Sequence, residues 1–125
     1  MTDLAILRMA DALGRHASAR HDLISRNVAN ADTPGYRARD LTPFTELMSR
    51  ASEGPRATRP GHLHHAQARA LEARLDSAMG ADSPNGNDVA LDDQLARAAK
   101  ALGDHDRATA VYGKTLDILR KALGR

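Results

Sequence analysis

From Leu91 to Leu123 the chain reads LDDQLARAAKALGDHDRATAVYGKTLDILRKAL, and the spacing of its apolar residues decides the fold. Leu91, Leu95, Ala98, Leu102, His105, Thr109, Tyr112, Leu116, Leu119 and Leu123 follow one another in alternating steps of four and three. That rhythm keeps one face of an α-helix turned toward a partner, and here it runs unbroken for more than four heptads, which argues for coiled-coil packing. Asp88, Asp92 and Asp93 stand at its start and Arg120, Lys121 and Arg125 at its end. Both placements complement the helix dipole, each by about 0.3–1 kcal/mol. Gly103 and Gly113 each cost about 1 kcal/mol relative to alanine, so packing must hold this helix together.

A similar stripe opens the chain. Ile6, Ala10, Leu13, Ala17, Ile24 and Val28 predict a helix over about residues 3–29, with Arg20 interrupting the apolar face. Thr2 or Asp3 can cap its first turn by accepting from the free N–H groups. Neither stripe can stay wet without cost. The expected fold is therefore all-α, with the long N- and C-terminal helices packed as an antiparallel coiled-coil hairpin. Leu13 and Ala17 are expected to face the last helix near its middle.

The reading is of a single elongated domain over residues 1–125, with an N-terminal helix (1–30), a turn and irregular middle (31–88) and a C-terminal helix (89–125). All five prolines fall between Pro34 and Pro84, which makes the middle Pro/Gly-rich and restricts it to short helical segments. Thr42 and Pro43 before Phe44, Leu47, Met48 and Ala51 predict one such helix, with Thr42 as cap, Pro43 in the first turn and Gly54-Pro55 as its end. Ala70, Leu71, Leu75 and Ala78 give residues 66–79 a second helical propensity, and residues 80–87 read as a loop.

Composition agrees with thin helical packing. The only aromatic residues are Tyr36, Phe44 and Tyr112, and aromatic side chains supply about 150–250 Å² of burial each in small cores. Alanine and leucine must build the core instead, which disfavours a compact β-rich domain. The 18 Lys and Arg nearly balance the 16 Asp and Glu and are scattered, without the basic stripe of a nucleic-acid binder. Without cysteine there is no disulfide, thiolate metal site or cysteine nucleophile. The N-terminus lacks the pattern of a cleavable signal peptide, and no run approaches the roughly 20 apolar residues of a membrane span. Those facts alone lead to a cytoplasmic expectation.

A two-helix unit leaves apolar flanks uncovered, here Ala101, Ala108, Val111 and Ile118. Exposed stripes of this kind mean partners. The expected assembly seam comprises Ile6, Leu13 and Ile24 on the first helix and Leu91, Leu95, Leu102, Tyr112, Leu116, Leu119 and Leu123 on the last.

Catalytic chemistry finds little support. His62, His64 and His65 form a His-x-His-His run that could offer imidazoles to a divalent ion, but nearby residues supply no carboxylate at helical spacing, and a solvated loop is the better reading. His16 and His21 are spread along the first helix, and His105 on the last reads as a packed, hydrogen-bonded seam residue. Asp92-Asp93 is helix-start charge rather than an acid/base pair. Metalloprotease, nucleophile-elbow and phosphate-loop patterns are missing. No catalytic residue, metal ligand or cofactor is assigned.

The segment Asn27-Val28-Ala29-Asn30-Ala31-Asp32-Thr33-Pro34-Gly35-Tyr36 is more specific. Asn30 suits a helix end because its side chain tolerates the left-handed conformation. Thr33, preceding a proline, is driven toward extended backbone. Pro34-Gly35 fits the centre of a type II turn, in which Gly35 takes positive φ. Tyr36 can then dock its ring with the hydroxyl hydrogen-bonded, and Asn27 and Asn30 are expected to bond nearby backbone.

From Ser25 to Tyr36 this segment closely resembles the N-terminal signature of bacterial flagellar rod and hook proteins: Asn, Ile or Val, Ala, Asn, two variable positions, then Thr-Pro-Gly-Tyr. The matching residues are Asn27, Ala29, Asn30, Thr33, Pro34, Gly35 and Tyr36. Arg37-Ala38-Arg39-Asp40 looks like the continuation in the family's proximal-rod branch. Thr58 to Leu63 resembles that branch's Thr-x-x-x-His-Leu/Ile element, and Asn85 to Asp92 its Asn-x-Val-x-Leu-Asp start of the last helix.

The resemblance implies a structural subunit of the proximal rod, polymerising into the hollow drive shaft that carries torque from motor to hook, with the terminal helices lining the central channel. It implies export through the flagellar type III apparatus without a cleavable signal, which replaces the cytoplasmic expectation with a periplasmic basal body. The implied partners are the C-type proximal-rod subunit and hook-basal-body protein E. Two alternatives stay open at this point: the equally short C-type rod subunit itself, and a cytoplasmic helical adaptor, which the heptads alone would permit.

Overall fold

A computed structural model of the chain describes residues 2–53, 73–75 and 84–124. In chain order the elements are α1 (Thr2–Ala29), β1 (Arg39–Leu41), α2 (Phe44–Glu53), β2 (Ala73–Leu75) and α3 (Leu91–Ala122). The histidine run His62-His64-His65, the Thr58–Leu63 element and most of the 66–79 patch lie outside the described residues.

The two long helices pack against each other. Asn27 reaches Gln94 at one end, while Gly14 lies against Ala108 farther along. Position falls on α1 as it rises on α3, so the helices run antiparallel, with Ala17 near the middle of α3 beside Ala101. Buried residues repeat by sevens on both partners, Ala10, Ala17 and Ile24 on α1 and Gln94, Ala101, Ala108 and Thr115 on α3, with His16 and Asn27 of α1 buried beside the repeat. Most are small, which lets the two backbones approach closely.

This contact face differs from the expected one. Each buried residue of α3 stands one position before a seam residue read from the sequence, so the helix is turned by about 100°. Leu91, Leu95, Leu102, Tyr112 and Leu123 are exposed, Leu95 and Leu102 by 62% and 59%. Leu116 and Leu119 are half-buried, and Thr109 and His105 are exposed rather than packed. Ala101 and Ala108, read as flanks, form the interior instead. On α1, Ile6 and Val28 are exposed, Leu13 is half-buried and Ile24 is buried. Leucine side chains are the larger hydrophobes, so burial area alone does not account for this choice of face.

The middle adds a two-stranded antiparallel sheet, with Arg39, Asp40 and Leu41 opposite Leu75, Arg74 and Ala73. Residues 73–75 are therefore strand where propensity favoured helix, because backbone pairing with β1 outweighs a preference of a few tenths of a kcal/mol per residue. α2 occurs where expected. Its first backbone bonds run from Glu46 and Leu47 to the carbonyl of Pro43, so Pro43 rather than Thr42 stands at the cap position. No helix among the described residues is long and apolar enough to cross a membrane.

Candidate functional site: an asparagine clasp beside an outward leucine stripe

α1 ends at the signature segment. Asn30 closes the helix with its backbone and side-chain N–H groups, both donating to the carbonyl of Arg26. It does so without left-handed backbone: among the described residues positive φ occurs only at glycine. Tyr36 N–H donates to Thr33 C=O at 3.2 Å and Gly35 has φ 71°, the geometry expected of the Pro34-Gly35 turn. Thr33 also donates its hydroxyl to the Asn30 side chain, whereas Ala29 and Pro34 are exposed.

A second turn, Asn85-Gly86-Asn87-Asp88, locks onto the first. Gly35 N–H donates to Asn85 C=O at 2.9 Å. Gly86, with φ 76°, brings its α-carbon so close that a Cβ there would stand 3.6 Å from the Gly35 α-carbon. Asn87 is buried and donates from Nδ2 to the carbonyls of Asn30 and Thr33 at 2.9 and 2.8 Å, while its Oδ1 accepts from Val89 N–H. Asp88 accepts from Ala38 N–H at 2.6 Å and lies 3.4 Å from the Arg37 guanidinium. It serves this junction rather than the helix dipole.

Asn27 is the centre of the clasp. Its Nδ2 donates to Arg39 C=O at 2.8 Å and to Gln94 Oε1 at 2.9 Å. Its Oδ1 accepts from Arg39 N–H and from the Tyr36 hydroxyl, both at 3.1 Å. Two donors and two acceptor sites are the full capacity of an amide side chain, and all four are filled. One residue thus joins α1, the turn, β1 and α3.

Two turns of α1 back, Arg20 grips Asp40 of β1 with two parallel bonds of 2.8 and 2.7 Å. Arg97 of α3 adds a third at 2.7 Å and pairs with Asp93 at 2.6 Å. Burial alone would push the Asp40 carboxyl up, but the Arg20 hydrogen bond and charge, the Leu41 N–H and the Arg97 charge outweigh it and hold the group below its ordinary value. Buried His16 completes the junction by donating from Nε2 to Thr42 C=O at 2.7 Å, with its ring 5.6 Å from that of Phe44. A carbonyl can only accept, so the proton sits on Nε2.

Of the residues singled out in sequence, Asn27, Asn30, Thr33, Gly35 and Tyr36 meet in this clasp. Gln94, Arg97 and Arg20 were missed, although Arg20 left a trace as the charge that breaks the α1 stripe; Asp40, Asn87 and Asp88 were named only within motifs or as helix-start charge, not as members of a site. The clasp holds no reactive arrangement: its polar atoms are engaged with one another. Beside it runs an uncovered stripe of Leu91, Leu95, Leu102, Tyr112 and Leu123, while Val111 and Ile118 are exposed on the other flank of the α1 contact. No group of three or more potential metal ligands occurs among the described residues.

Comparison with known proteins gives a consistent set of relatives. The chain is 30% identical to the flagellar basal body rod protein FlgB of Salmonella typhimurium over 123 residues, 91% of this chain and 88% of the relative. FlgB of Agrobacterium fabrum is 25% identical over 111 residues, 85% of this chain and 83% of the relative. FlgB of Cereibacter sphaeroides is 38% identical over 76 residues, 56% of this chain and 54% of the relative. No family model matches the chain.

Proposed function

The chain belongs to the FlgB family of flagellar basal body rod proteins, and from that premise we propose that it works as a polymerising strut of the proximal rod. It is a structural subunit of the rod, serving motility. The relatives carry the FlgB name, which favours this assignment over the C-type subunit and over a cytoplasmic adaptor. The expected partners remain other rod subunits, the C-type protein among them, hook-basal-body protein E and the type III export apparatus. The destination is the periplasmic basal body, and the role is not enzymatic.

The observation that supports this reading best is the leucine stripe. It runs along α3 adjacent to the small-residue contact with α1 but outside it, so a subunit can be folded and still have a large apolar face to give. The seven-residue repeat of the buried positions supports an antiparallel coiled-coil hairpin. Stacked hairpins, each with its leucine face covered by neighbours, would make a tube wall stiff along the helix axes. The clasp would keep α3 from sliding along α1 under torque.

Fractionation tests the reading. A tagged chain should co-purify with detergent-extracted basal bodies, and deletion of its gene should leave cells non-motile with rings that lack a rod. Swimming by the deletion strain, with the tagged chain confined to the cytoplasm, would overturn it.

A further inference from the structure

α3 presents two adjacent heptad stripes. One is small or polar (Gln94, Ala101, Ala108, Thr115) and packs on α1; the other, displaced by one residue, contains Leu95, Leu102, Thr109 and Leu116. Apolar area favours turning the leucine stripe inward, since a leucine buries far more hydrocarbon than an alanine. The structure has the opposite arrangement. Among the described residues, two side chains near the start of α3 reach across to polar groups of α1 and β1: Gln94, which accepts from Asn27, and Arg97, which donates to Asp40.

We infer that Gln94 and Arg97 are positioning residues that set the rotation of α3, holding its alanine face against α1 and so keeping its leucine face outward. Buried polar pairs are known to fix register between helices at some cost in stability. In the rotated arrangement Gln94 would leave Asn27, and the Arg97 head would swing away from Asp40. Because α3 is one continuous helix, a rotation fixed at these two residues is imposed on the positions beyond them. The remaining partners are self-sufficient: Asn27 Nδ2 keeps the Arg39 carbonyl, and Asp40 keeps both bonds from Arg20. Loss of Gln94 and Arg97 therefore frees the rotation and leaves Asp40 paired; Asp93 loses the Arg97 contact at 2.6 Å, but its side chain is 31% exposed to water. That the freed leucine face is needed for assembly rests on the proposed function; the rotation itself does not.

Disulfide trapping reads the rotation directly, because the chain has no cysteine of its own. A Cβ on Gly14 would lie 3.7 Å from the Ala108 Cβ, the separation a disulfide requires. In the otherwise unchanged full chain, Gly14→Cys with Ala108→Cys should oxidise with a yield at least about tenfold that of Gly14→Cys with Thr109→Cys, since the bond tolerates little excess distance. Adding Gln94→Ala and Arg97→Ala, both favourable in a helix, should abolish or reverse that preference. Adding Leu95→Ala and Leu102→Ala as well should restore it by removing the competing face.

Retention of the full preference for position 108 in the Gln94→Ala, Arg97→Ala chain would overturn the inference, since close packing of the alanines would then set the rotation. Loss of helicity in that chain, read by circular dichroism, would overturn it too, because the two residues would then hold the pair together rather than choose between two faces. Motility of the same variants in a deletion strain is scored separately. A reversed cross-link with normal swimming would leave the rotation standing and count against the assembly role of the leucines.

Discussion

Asn27 donates to Gln94 across 67 positions of sequence, at 2.9 Å, and each side chain is only 1% exposed. The same amide also holds both backbone polar groups of Arg39 and the Tyr36 hydroxyl. Asn27→Ala would leave several buried groups without partners, at about 1–3 kcal/mol for each that water cannot reach. The expected loss is about 3–5 kcal/mol by that measure, read as a lower urea midpoint in far-UV circular dichroism. Asn27→Asp should be at least as damaging, because its acceptor oxygens would face the Arg39 carbonyl and Gln94 Oε1. An unchanged midpoint for both variants would remove Asn27 from the centre of the clasp.

Acid should loosen the junction through Asp40. Its carboxyl titrates below the ordinary value in the folded chain, whereas unfolded aspartate titrates near about 3.9. The folded state thus binds fewer protons in this range. The stabilisation is complete above the unfolded value and is lost as pH falls from about 4 through the folded value. Asp40→Asn should flatten the stability profile in that window and lower stability at neutral pH, where Arg20 and Arg97 lose their shared counter-ion. Unfolding free energies measured from pH 7 to pH 2 check both parts; an equally steep acid limb in the variant would assign it to other carboxylates.

Much of the fold was legible because helix periodicity is local. Residues 91–123 and the α1 stripe announce two long helices, and Pro34-Gly35 announces a turn with positive φ at the second residue. The face by which α3 binds α1 was not legible. Heptad reading ranks stripes by hydrophobicity, and here the more hydrophobic stripe is the outer one. What decides is a pair of contacts between residues far apart in sequence, Gln94 with Asn27 and Arg97 with Asp40, and nothing local to α3 reports them. The strand at 73–75 was hidden for the same reason, since its partner lies more than thirty residues earlier. Residues 80–87 did read as a loop, but the docking of Asn85 and Gly86 against Gly35 is again a tertiary fact.

Gly35 should resist substitution for conformational reasons alone. A Cβ there meets nothing within 4 Å, yet φ is 71°. Gly35→Ala should cost about 1–2 kcal/mol, Gly35→Val more because branching narrows the allowed backbone, and Gly35→Asn least. Denaturation midpoints in the order Asn, Ala, Val check this; a valine variant as stable as the asparagine one would remove the strain argument.

Gly14 should behave in the opposite way. It sits inside α1, and its added Cβ would make an ordinary 3.7 Å contact with Ala108. Gly14→Ala should raise stability by about 0.5–1 kcal/mol through helix propensity and a less free unfolded chain. A lower melting temperature would mean that the helices approach more closely in solution than 3.7 Å allows.

Adjacent residues of α3 should separate folding from assembly. Ala101 is 1% exposed and packed on α1, whereas Leu102 is 59% exposed on the outer stripe. Ala101→Asp would bury a charge with no partner and should unfold the helix pair before any question of polymerisation arises. Leu102→Asp changes a surface position of the single subunit and should leave helicity and urea midpoint within about 0.5 kcal/mol. In the rod, however, a covered leucine contributes about 1.5–3 kcal/mol, and an aspartate there adds the cost of an unpaired charge at every contact in the array. The Leu102→Asp chain should therefore be folded, stable and present in the cell, yet yield no rod and no swimming in a deletion strain. Circular dichroism, immunoblotting and electron microscopy of basal bodies make the comparison. If Leu102→Asp supports normal swimming while Ala101→Asp does not, the outer stripe is a bystander, and assembly must be sought on another face of the hairpin.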